Sequence, residues 1–225
     1  MQIENKYWHL RNHKLFSVLK NSQIEELCVI INYKKVKKND VIYFANDELK
    51  RIFFLKRGRI KIAEMDESGN EIIIDILQSG DLFGELSLDS ENKNTEYAQA
   101  MSDVTICSFR LEDFESLMEH YPSVALKFTK FVGFRFKRLE NRYSNLVFKD
   151  VKTRLIGFIK DWALREGKRE GNKITLENYL THQDIANLIC STRQTVTQLL
   201  NDLEHAGLLS YERKEIVVKD VNKLN

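Results

Sequence analysis

The most informative pattern of hydrophobic and polar residues along the chain lies in residues 181–207. Thr181, followed three positions later by Asp184, has the pattern of a capping box, so a helix is expected to begin near His182. Apolar residues then recur at steps of three and four in two runs, first Ile185, Leu188 and Ile189, and after a break Val196, Leu199, Leu200 and Leu203. This periodicity predicts two short helices that each bury one face and are joined by a tight turn.

The second of these helices carries a polar face opposite its apolar stripe, formed by Arg193, Gln194, Thr197 and Gln198. An arginine side chain can form two hydrogen bonds with guanine in the DNA major groove, and a glutamine side chain can form two with adenine. The pattern therefore predicts a helix-turn-helix in which Arg193, Gln194 and Gln198 contact bases. An ordinary helical hairpin with a solvated polar face is the alternative, because short patterns of this kind also arise by chance.

A β-hairpin is predicted directly after the second helix. Gly207 suits the left-handed position that follows a helix end, and the β-rich residues 208–211 and 216–218 flank a short charged turn. A hairpin behind a recognition helix is a wing, and this favours DNA binding over the plain helical hairpin. Hydroxyl and cationic side chains of this region are the expected phosphate contacts: Thr181, Thr192, Thr197, Arg213 and Lys214.

The turn between the two helices contains Cys190 at a position where helix-turn-helix proteins usually carry glycine. If the backbone there is left-handed, the presence of a side chain costs about 1 kcal/mol. Either a strained turn or a slightly different turn is therefore expected at Cys190.

The N-terminal half alternates short β-rich runs with turn residues over positions 34–111. Residues 51–55 and 59–63 are separated by a turn that contains Gly58, and residues 71–77 lie between two clusters of Gly, Asp, Asn and Ser. Strands at a spacing of about ten residues, joined by glycine-containing turns, are typical of a β-sandwich or a jelly roll.

The chain has 225 residues, which fits two domains, and its 43% of hydrophobic and 30% of charged residues are ordinary for a globular protein. Its apolar runs are too short to span a membrane and its N-terminus is too polar for a signal peptide, so a cytoplasmic protein without a membrane partner is expected. The three cysteines are far apart and form no C-x-x-C pair, which argues against disulfides and a zinc site.

Charge is divided unevenly along the chain, although the net charge is only +2. Residues 1–120 carry 16 Lys and Arg against 21 Asp and Glu, whereas residues 121–225 carry 19 against 12. A basic C-terminal half beside an acidic N-terminal half fits a DNA-binding domain joined to a separate sensing domain. A chance asymmetry is the alternative.

The order of these segments carries a family resemblance. The sequence GDLFGELSL, residues 80–88, follows β-rich runs and precedes a long helical pattern and the winged helix. In this order the chain resembles the Crp/Fnr family of bacterial transcription regulators, from about Leu15 to Val218. The resemblance implies an α+β fold with an N-terminal antiparallel β-roll (jelly-roll, cupin-like), a long dimerisation helix and a C-terminal winged helix-turn-helix. The implied boundaries are 1–122 for the sensor domain, 123–148 for the dimerisation helix and hinge, and 149–225 for the DNA-binding domain.

The dimerisation helix also has a signature in the pattern. Residues 123–146 contain no proline and carry apolar residues at steps of three and four, which predicts a helix of about 24 residues and about 36 Å. The resemblance implies that this seam contacts a second copy of the chain, and a helix packed on its own domain is the alternative. Phe131 and Phe134 lie off the seam and are expected to pack on the β-roll, and Asp150 is expected to cap the next helix. The seam residues are Phe128, Val132, Phe136 (or Arg135), Leu139, Tyr143 and Leu146.

The resemblance implies an effector pocket in the β-roll. In the nucleotide-binding members, a Gly-Glu-Leu segment holds the ribose and a later Arg-Ser/Thr-Ala segment supplies the arginine that pairs with the cyclic phosphate. Here Asn94 falls at the arginine position and Glu96 at the small residue that follows the hydroxyl position. The residues at the pocket positions are Gly84, Glu85, Leu86, Ser87, Asn94 and Thr95.

These departures weaken the case for a cyclic nucleotide. Removing one partner of a buried charge pair costs roughly 2–5 kcal/mol, and Glu96 adds a like charge beside the position of Asn94. The base-reading polar pair of the family falls at Leu139 and Glu140, and leucine cannot hydrogen-bond a base. We therefore expect a regulator that cyclic nucleotides do not control, with the pocket kept as a scaffold. A cyclic-nucleotide-responsive regulator with an atypical phosphate cassette is the alternative, because a gap in the loop would bring Lys93 to the phosphate position.

Other sensors and functions can be judged by residue type. The iron–sulfur members need a group of N-terminal cysteines, and the first thirty residues contain only Cys28. The pattern places no histidine in the β-roll core, so neither a metal, haem nor any other cofactor is expected.

An enzyme on a cupin-like barrel is disfavoured because the β-roll segment offers no nucleophile–base pair. A regulatory subunit that does not bind DNA is disfavoured by the winged helix. The expected partners are double-stranded DNA with a two-fold operator and a second copy of the chain, with RNA polymerase as a further candidate.

Overall fold

The computed structural model describes residues 2–44, 50–65, 69, 71–84 and 96–224, and for residues 2–5 it describes the backbone alone. The chain divides into two compact units, Met1–Arg135 and Phe136–Asn225. Both units combine helices with strands, and the predicted α+β fold is confirmed.

The first unit is built on two antiparallel sheets of four strands. The strands are β1 (Asn32–Val36), β2 (Val41–Phe44), β3 (Arg51–Arg57), β4 (Ile60–Met65), β5 (Glu71–Leu77), β6 (Leu82–Gly84), β7 (Glu96–Ala100) and β8 (Val104–Arg110). One sheet has the order β1-β8-β3-β6 and the other β2-β7-β4-β5. The sequence had predicted the runs that form β3, β4 and β5. The helices of the first unit are α1 (Gln2–Arg11), α2 (Asn21–Ile30), α3 (Leu111–His120) and the first part of α4 (Pro122–Phe148).

Strand β3 is buried on both of its faces, which explains its uninterrupted apolar run. Side chains alternate across a strand, so neighbouring residues enter different cores. Phe53 and Leu55 lie in the core between the two sheets. Ile52 and Phe54 lie in a second core, which contains side chains of the helices α1 to α4. The helical layer of the first unit therefore packs against the β1-β8-β3-β6 sheet.

Gly84 is the last residue of β6, and the backbone conformation at this position requires glycine. Its φ of +113° lies in the region that side chains avoid, and a Cβ atom there would lie 2.2 Å from the carbonyl oxygen of Arg51 on the neighbouring strand. The first residue of the Gly-Glu-Leu segment thus has a structural reason to be glycine, independent of any ligand.

The second unit contains the winged helix. It consists of the second part of α4, α5 (Val151–Glu166), β9 (Lys168–Glu170), β10 (Lys173–Glu177), α6 (His182–Leu188), α7 (Arg193–His205), β11 (Leu209–Tyr211) and β12 (Glu215–Val218). The predicted hairpin is β11–β12, and it belongs to a larger antiparallel sheet of order β11-β12-β10-β9. The sequence pattern did not predict the hairpin β9–β10. Asp150 caps α5 as expected, since its carboxylate accepts a hydrogen bond from the amide of Thr153 at 2.7 Å.

His13 is a buried polar residue of the first unit, held in one tautomer. Its Nε2 lies 3.1 Å from the carbonyl oxygen of Gly80, and its Nδ1 accepts a hydrogen bond from the amide of Leu15 at 3.2 Å. The ring also packs edge-on against Phe54. Burial, followed by the nearby charge of Lys56, lowers the pKa of His13 to about 4. A proton on Nδ1 would therefore break the bond to Leu15 and charge a buried ring.

This geometry predicts an acid-sensitive first unit. Because the pKa of His13 is lower in the folded chain than in the unfolded chain, the unfolded state binds more protons between about pH 4 and pH 6.5. The stabilisation is complete above pH 6.5 and is lost as the pH falls to 4, by up to about 3 kcal/mol. Urea unfolding followed by circular dichroism across this range measures the loss. His13→Gln should flatten the dependence, and the control His120→Gln, at an exposed site, should retain it. Equal slopes for both variants would contradict the assignment.

Candidate nucleic-acid interface and effector region

Helix α6 begins where its sequence predicted. The hydroxyl oxygen of Thr181 accepts from the amide of Asp184 at 3.1 Å, and the carboxylate of Asp184 accepts from the amide of Thr181 at 2.8 Å. This reciprocal pair satisfies two amides that have no partner inside the helix. The capping box fixes the first turn of α6, and it leaves Thr181 exposed at the surface.

The turn between α6 and α7 is left-handed at a residue with a side chain. Cys190 has a φ of +52°, so of the two expected outcomes the strained turn is present. A left-handed residue other than glycine costs roughly 1–2 kcal/mol, which neighbouring bonds must offset. The amide of Ser191 donates to the carbonyl of Ala186 at 2.8 Å and closes the turn.

Helix α7 has one buried and one exposed face. Val196, Leu200 and Leu203 are buried, and the hydroxyl of Thr192 caps the helix by accepting from the amide of Thr195 at 3.1 Å. The predicted base-contacting residues Arg193, Gln194 and Gln198 are all exposed. Within the described part of the chain, no residue forms a hydrogen bond or an ion pair with these three side chains. They are free to meet an external partner.

Thr197 has a different environment from the other polar residues of this face. Its hydroxyl donates to the carbonyl of Arg193 at 2.9 Å and lies 2.7 Å from Nδ1 of His182. The ring of His182 also packs edge-on against Tyr211 of the wing, at 5.1 Å between centroids. Burial, followed by the charge of Arg193, lowers the pKa of His182. The hydroxyl of Thr197 thus already joins α7 to the start of α6, and His182 connects both helices to the wing.

The wing turn is held by Asn178, which precedes α6. The side-chain amide of Asn178 donates to the carbonyl of Glu212 at 2.7 Å, and its backbone amide donates to the carbonyl of Lys214 at 2.9 Å. Arg213 and Lys214 are exposed at this turn. Sequence reasoning missed Asn178, His182 and Tyr211, because their partners are 15 to 34 positions away along the chain.

The effector region is described in part. Glu85, Leu86, Ser87, Asn94 and Thr95 lie outside the described residues, so their predicted roles remain predictions. Glu96, at the start of β7, is described, and its carboxylate accepts a hydrogen bond from the hydroxyl of Tyr43 at 2.7 Å.

Tyr43 links the carboxylate of Glu96 to the strand that precedes the predicted phosphate cassette. The ring of Tyr43 stacks on Phe53 and on Phe83, and Phe83 directly precedes Gly84. Glu64 is the register partner of Glu96 on the neighbouring strand β4. Two acidic residues therefore face each other across β7 and β4, at the start of the strand that follows the cassette in the sequence.

A cation of α4 lies in the same unit, and it is already paired. Arg135 donates to the carbonyl of Leu82 at 2.5 Å and to the carboxylate of Asp75 at 3.0 Å. Its guanidinium thereby connects the helix to β5 and β6. An anionic effector that used Arg135 would have to compete with Asp75.

The residues of the predicted dimer seam have different environments. Phe128 is half-buried and packs edge-on against Phe114 of α3, at 5.4 Å between centroids, so part of its ring belongs to the core of the first unit. The other five seam residues are exposed apolar side chains: Val132, Phe136, Leu139, Tyr143 and Leu146. Phe131 packs against the core of the first unit as expected, whereas Phe134 is 65% exposed and does not. Helix geometry is the reason, because at about 100° per residue Phe134 lies about 120° around the helix from Phe128, whose ring packs on that core.

Two properties of the described residues bear on other functions. In the described ranges, no three His, Cys, Asp or Glu side chains are grouped so that they could hold a metal ion. None of the helices in these ranges combines the length and the apolar character that a membrane span requires.

Comparison with known proteins gives matches along most of the chain. Residues 33–121 match the family of cyclic nucleotide-binding domains, and residues 153–225 match the Crp-like helix-turn-helix domain. The chain is 32% identical over 183 residues to a global nitrogen regulator of Nostoc sp., in a match that covers 80% of this chain and 82% of that protein. It is 28% identical over 174 residues to a CRP-like cAMP-activated global transcriptional regulator of Mycobacterium tuberculosis, with 77% and 78% covered.

A solved structure agrees with these matches. A mutant of CooA from Carboxydothermus hydrogenoformans is 29% identical in sequence and superposes with a TM-score of 0.74 over 88% of each chain. A winged helix with an exposed recognition face, joined to a β-roll, defines a DNA-binding transcription regulator. The chain belongs to the Crp/Fnr family, and the predicted family and the predicted function of a DNA-binding transcription regulator are confirmed.

Proposed function

We propose that the protein binds a two-fold DNA site as a homodimer, with one α7 helix of each subunit in successive major grooves about 34 Å apart. The observation that carries this proposal is the exposed face of α7. Arg193, Gln194 and Gln198 have no hydrogen-bonding partner among the described residues, while the opposite face of the helix is buried. The regulator would act by binding and not by catalysis. We also propose RNA polymerase as a further partner and the cytoplasm as the location of the protein.

The proposed contacts fall into two classes with different consequences. Side chains that reach base edges discriminate between sequences, whereas side chains that reach phosphates position the protein and make binding depend on salt. We assign Arg193, Gln194 and Gln198 to the first class. We assign Thr181, Thr192, Arg213 and Lys214 to the second, and Thr197 also remains a candidate although its hydroxyl already has two contacts inside the protein.

The proposed dimer contact lies on α4. Exposed apolar side chains at steps of three and four are costly in water, and a second copy of the same helix would cover them. Val132, Phe136, Leu139 and Tyr143 follow this spacing on one side of the helix. A parallel arrangement would bring each of these residues close to its own copy.

The proposed regulation does not involve cyclic nucleotides. Glu96 directly follows Thr95 in the sequence, and its carboxylate, which accepts a hydrogen bond from Tyr43, would repel a cyclic phosphate bound at the cassette. Arg135, a described cation of the same unit, is paired with Asp75. Two positions of α4 correspond to those that bind the nucleotide base in the family. Of these, Leu139 has no polar group to offer, and Glu140 pairs with Lys137 at 2.9 Å.

The two contact classes predict two different mutant behaviours. Arg193→Ala should cost about 1–3 kcal/mol at one base position and relax the preference there. Lys214→Ala should weaken all sequences alike and reduce the slope of log affinity against log salt by about 1. Fluorescence anisotropy with a duplex selected from a random library, at several salt concentrations, measures both effects. Lys168→Ala, on the opposite edge of the winged sheet, is the control and should change neither. If Arg193→Ala and Lys214→Ala bind like the wild type, another element recognises the DNA.

A charge on the proposed seam should separate the subunits. Leu139 is 61% exposed in the single chain, and Leu139→Glu would bring two carboxylates together in an apolar contact. We expect the dimer dissociation constant to rise by at least about tenfold. Sedimentation equilibrium measures it, with Phe134→Glu on the opposite side of α4 as the matched control. A wild-type monomer at micromolar concentration would disprove the dimer, and equal weakening by both variants would place the contact elsewhere.

We expect cyclic AMP and cyclic GMP to bind the protein weakly. Asn94 in place of arginine and the added charge of Glu96 weaken binding of the phosphate, whereas Leu139 removes a hydrogen bond to the base. Because these losses concern different parts of the nucleotide, their free-energy costs should roughly add. Isothermal titration calorimetry should show a dissociation constant well above about ten micromolar. The double variant Asn94→Arg with Glu96→Ala should restore measurable binding if the scaffold is intact. Tight binding of either nucleotide to the wild type would favour the atypical cassette instead.

A further inference from the structure

One arginine of α5 reaches three carbonyl groups from two separate parts of the second unit. Nη1 of Arg154 donates to the carbonyl of Lys149 at 2.7 Å, directly after the end of α4. Its Nε donates to the carbonyl of Ile189 at 3.0 Å, and its Nη2 donates to the carbonyl of Cys190 at 3.2 Å. The guanidinium therefore uses each of its nitrogens on a different backbone carbonyl.

The carbonyls that Arg154 holds belong to the strained turn. Cys190 has a φ of +52°, and its carbonyl and the one before it both accept from the same guanidinium. Charge-assisted hydrogen bonds are stronger than neutral ones, and the planar fork of arginine fixes their directions. Arg154 thus offsets the cost of a side chain at a left-handed position and holds the turn in that conformation.

The turn determines where the recognition helix begins. Thr192, two residues after Cys190, is the N-cap of α7, and Arg193 and Gln194 are its first two residues. A change in the backbone at Cys190 would therefore displace the predicted base contacts directly. The third bond of Arg154, to Lys149, ties the same turn to the junction between α4 and α5. Arg142 of α4 adds a longer bond of 3.5 Å to the carbonyl of Leu188.

We propose that Arg154 is a positioning residue for DNA recognition. It holds the non-glycine turn at Cys190 in the conformation that starts α7 correctly, and it links that turn to the end of the proposed dimer helix. This proposal rests on the proposed DNA-binding function. It differs from a phosphate contact because the guanidinium bonds backbone carbonyls of the protein itself, so its effect depends on the directions of the fork and not on charge alone.

The test compares specific with non-specific binding. Arg154→Lys keeps the charge, but its single ammonium cannot bond three carbonyls in the directions of a fork. We expect it to weaken binding to a duplex selected by the wild type about tenfold, and binding to a scrambled duplex by less than about threefold. Arg165→Lys is the matched control, since Arg165 is exposed on the same helix and bonds Asp161 alone among the described residues. It should leave both affinities unchanged.

Rescue by a second substitution separates positioning from a general structural role. Cys190→Gly removes the cost of the left-handed turn, so it should restore most of the specific affinity to Arg154→Lys. Specific binding by Arg154→Lys at the wild-type level, equal weakening on both duplexes, or no rescue by Cys190→Gly would each overturn the proposal.

The single variant Cys190→Gly keeps the test decisive if Arg154→Lys does not fold. It should raise the melting temperature of the second unit and leave specific binding within about twofold of the wild type. The fluorescence of Trp162, which is buried in α5, reports this unfolding in a Trp8→Phe background. A lower melting temperature would overturn the proposal. If the wild type itself selects no duplex from the library, the proposed DNA-binding function fails instead.

Discussion

Burial of the apolar stripe of α7 is the constraint on which the DNA-binding surface depends. Val196, Leu200 and Leu203 recur at steps of three and four, so burying them fixes the rotation of the helix about its axis. Each buried side chain of this size contributes about 1.5–3 kcal/mol, far more than any single surface contact. The polar face has no such anchor of its own. Arg193 and Gln198 point to solvent because the apolar face of the helix must be buried. They are therefore available for a partner.

Burial fixes the rotation of α7, but polar contacts fix its ends. The N-terminus depends on the Thr192 cap and on the turn at Cys190, whose carbonyls are held by Arg154. On the wing side, His182 contacts both Thr197 and Tyr211. Thr197 is an example of such a polar contact: its hydroxyl lies on the recognition face, but it connects α7 to His182 at the start of α6. Exposure along a helix therefore does not by itself separate residues that meet DNA from residues that hold the interface together.

In the first unit the scaffold and the ligand chemistry are separable. Gly84 is required because a Cβ atom would collide with the carbonyl of Arg51, so this glycine has a structural role that needs no nucleotide. The charges around it depend on a few side chains, such as Glu96 with Tyr43 and Arg135 with Asp75. Members of one family can therefore share this β-roll and respond to different effectors, since function depends on the residues of the site and not on the fold.

The sequence by itself determined the elements whose signals are local. The capping box at Thr181, the periodic stripe of α7, the cap at Asp150 and the strand runs of the β-roll all depend on residues a few positions apart, and the family motifs supplied their order. What the tertiary structure alone decided involves distant partners. The three carbonyls of Arg154, the Asn178 contact with the wing, the pairing of Arg135 with Asp75 and the packing of Phe128 on Phe114 join residues with no fixed spacing. Such contacts depend on how finished elements pack, and no short-range pattern encodes them.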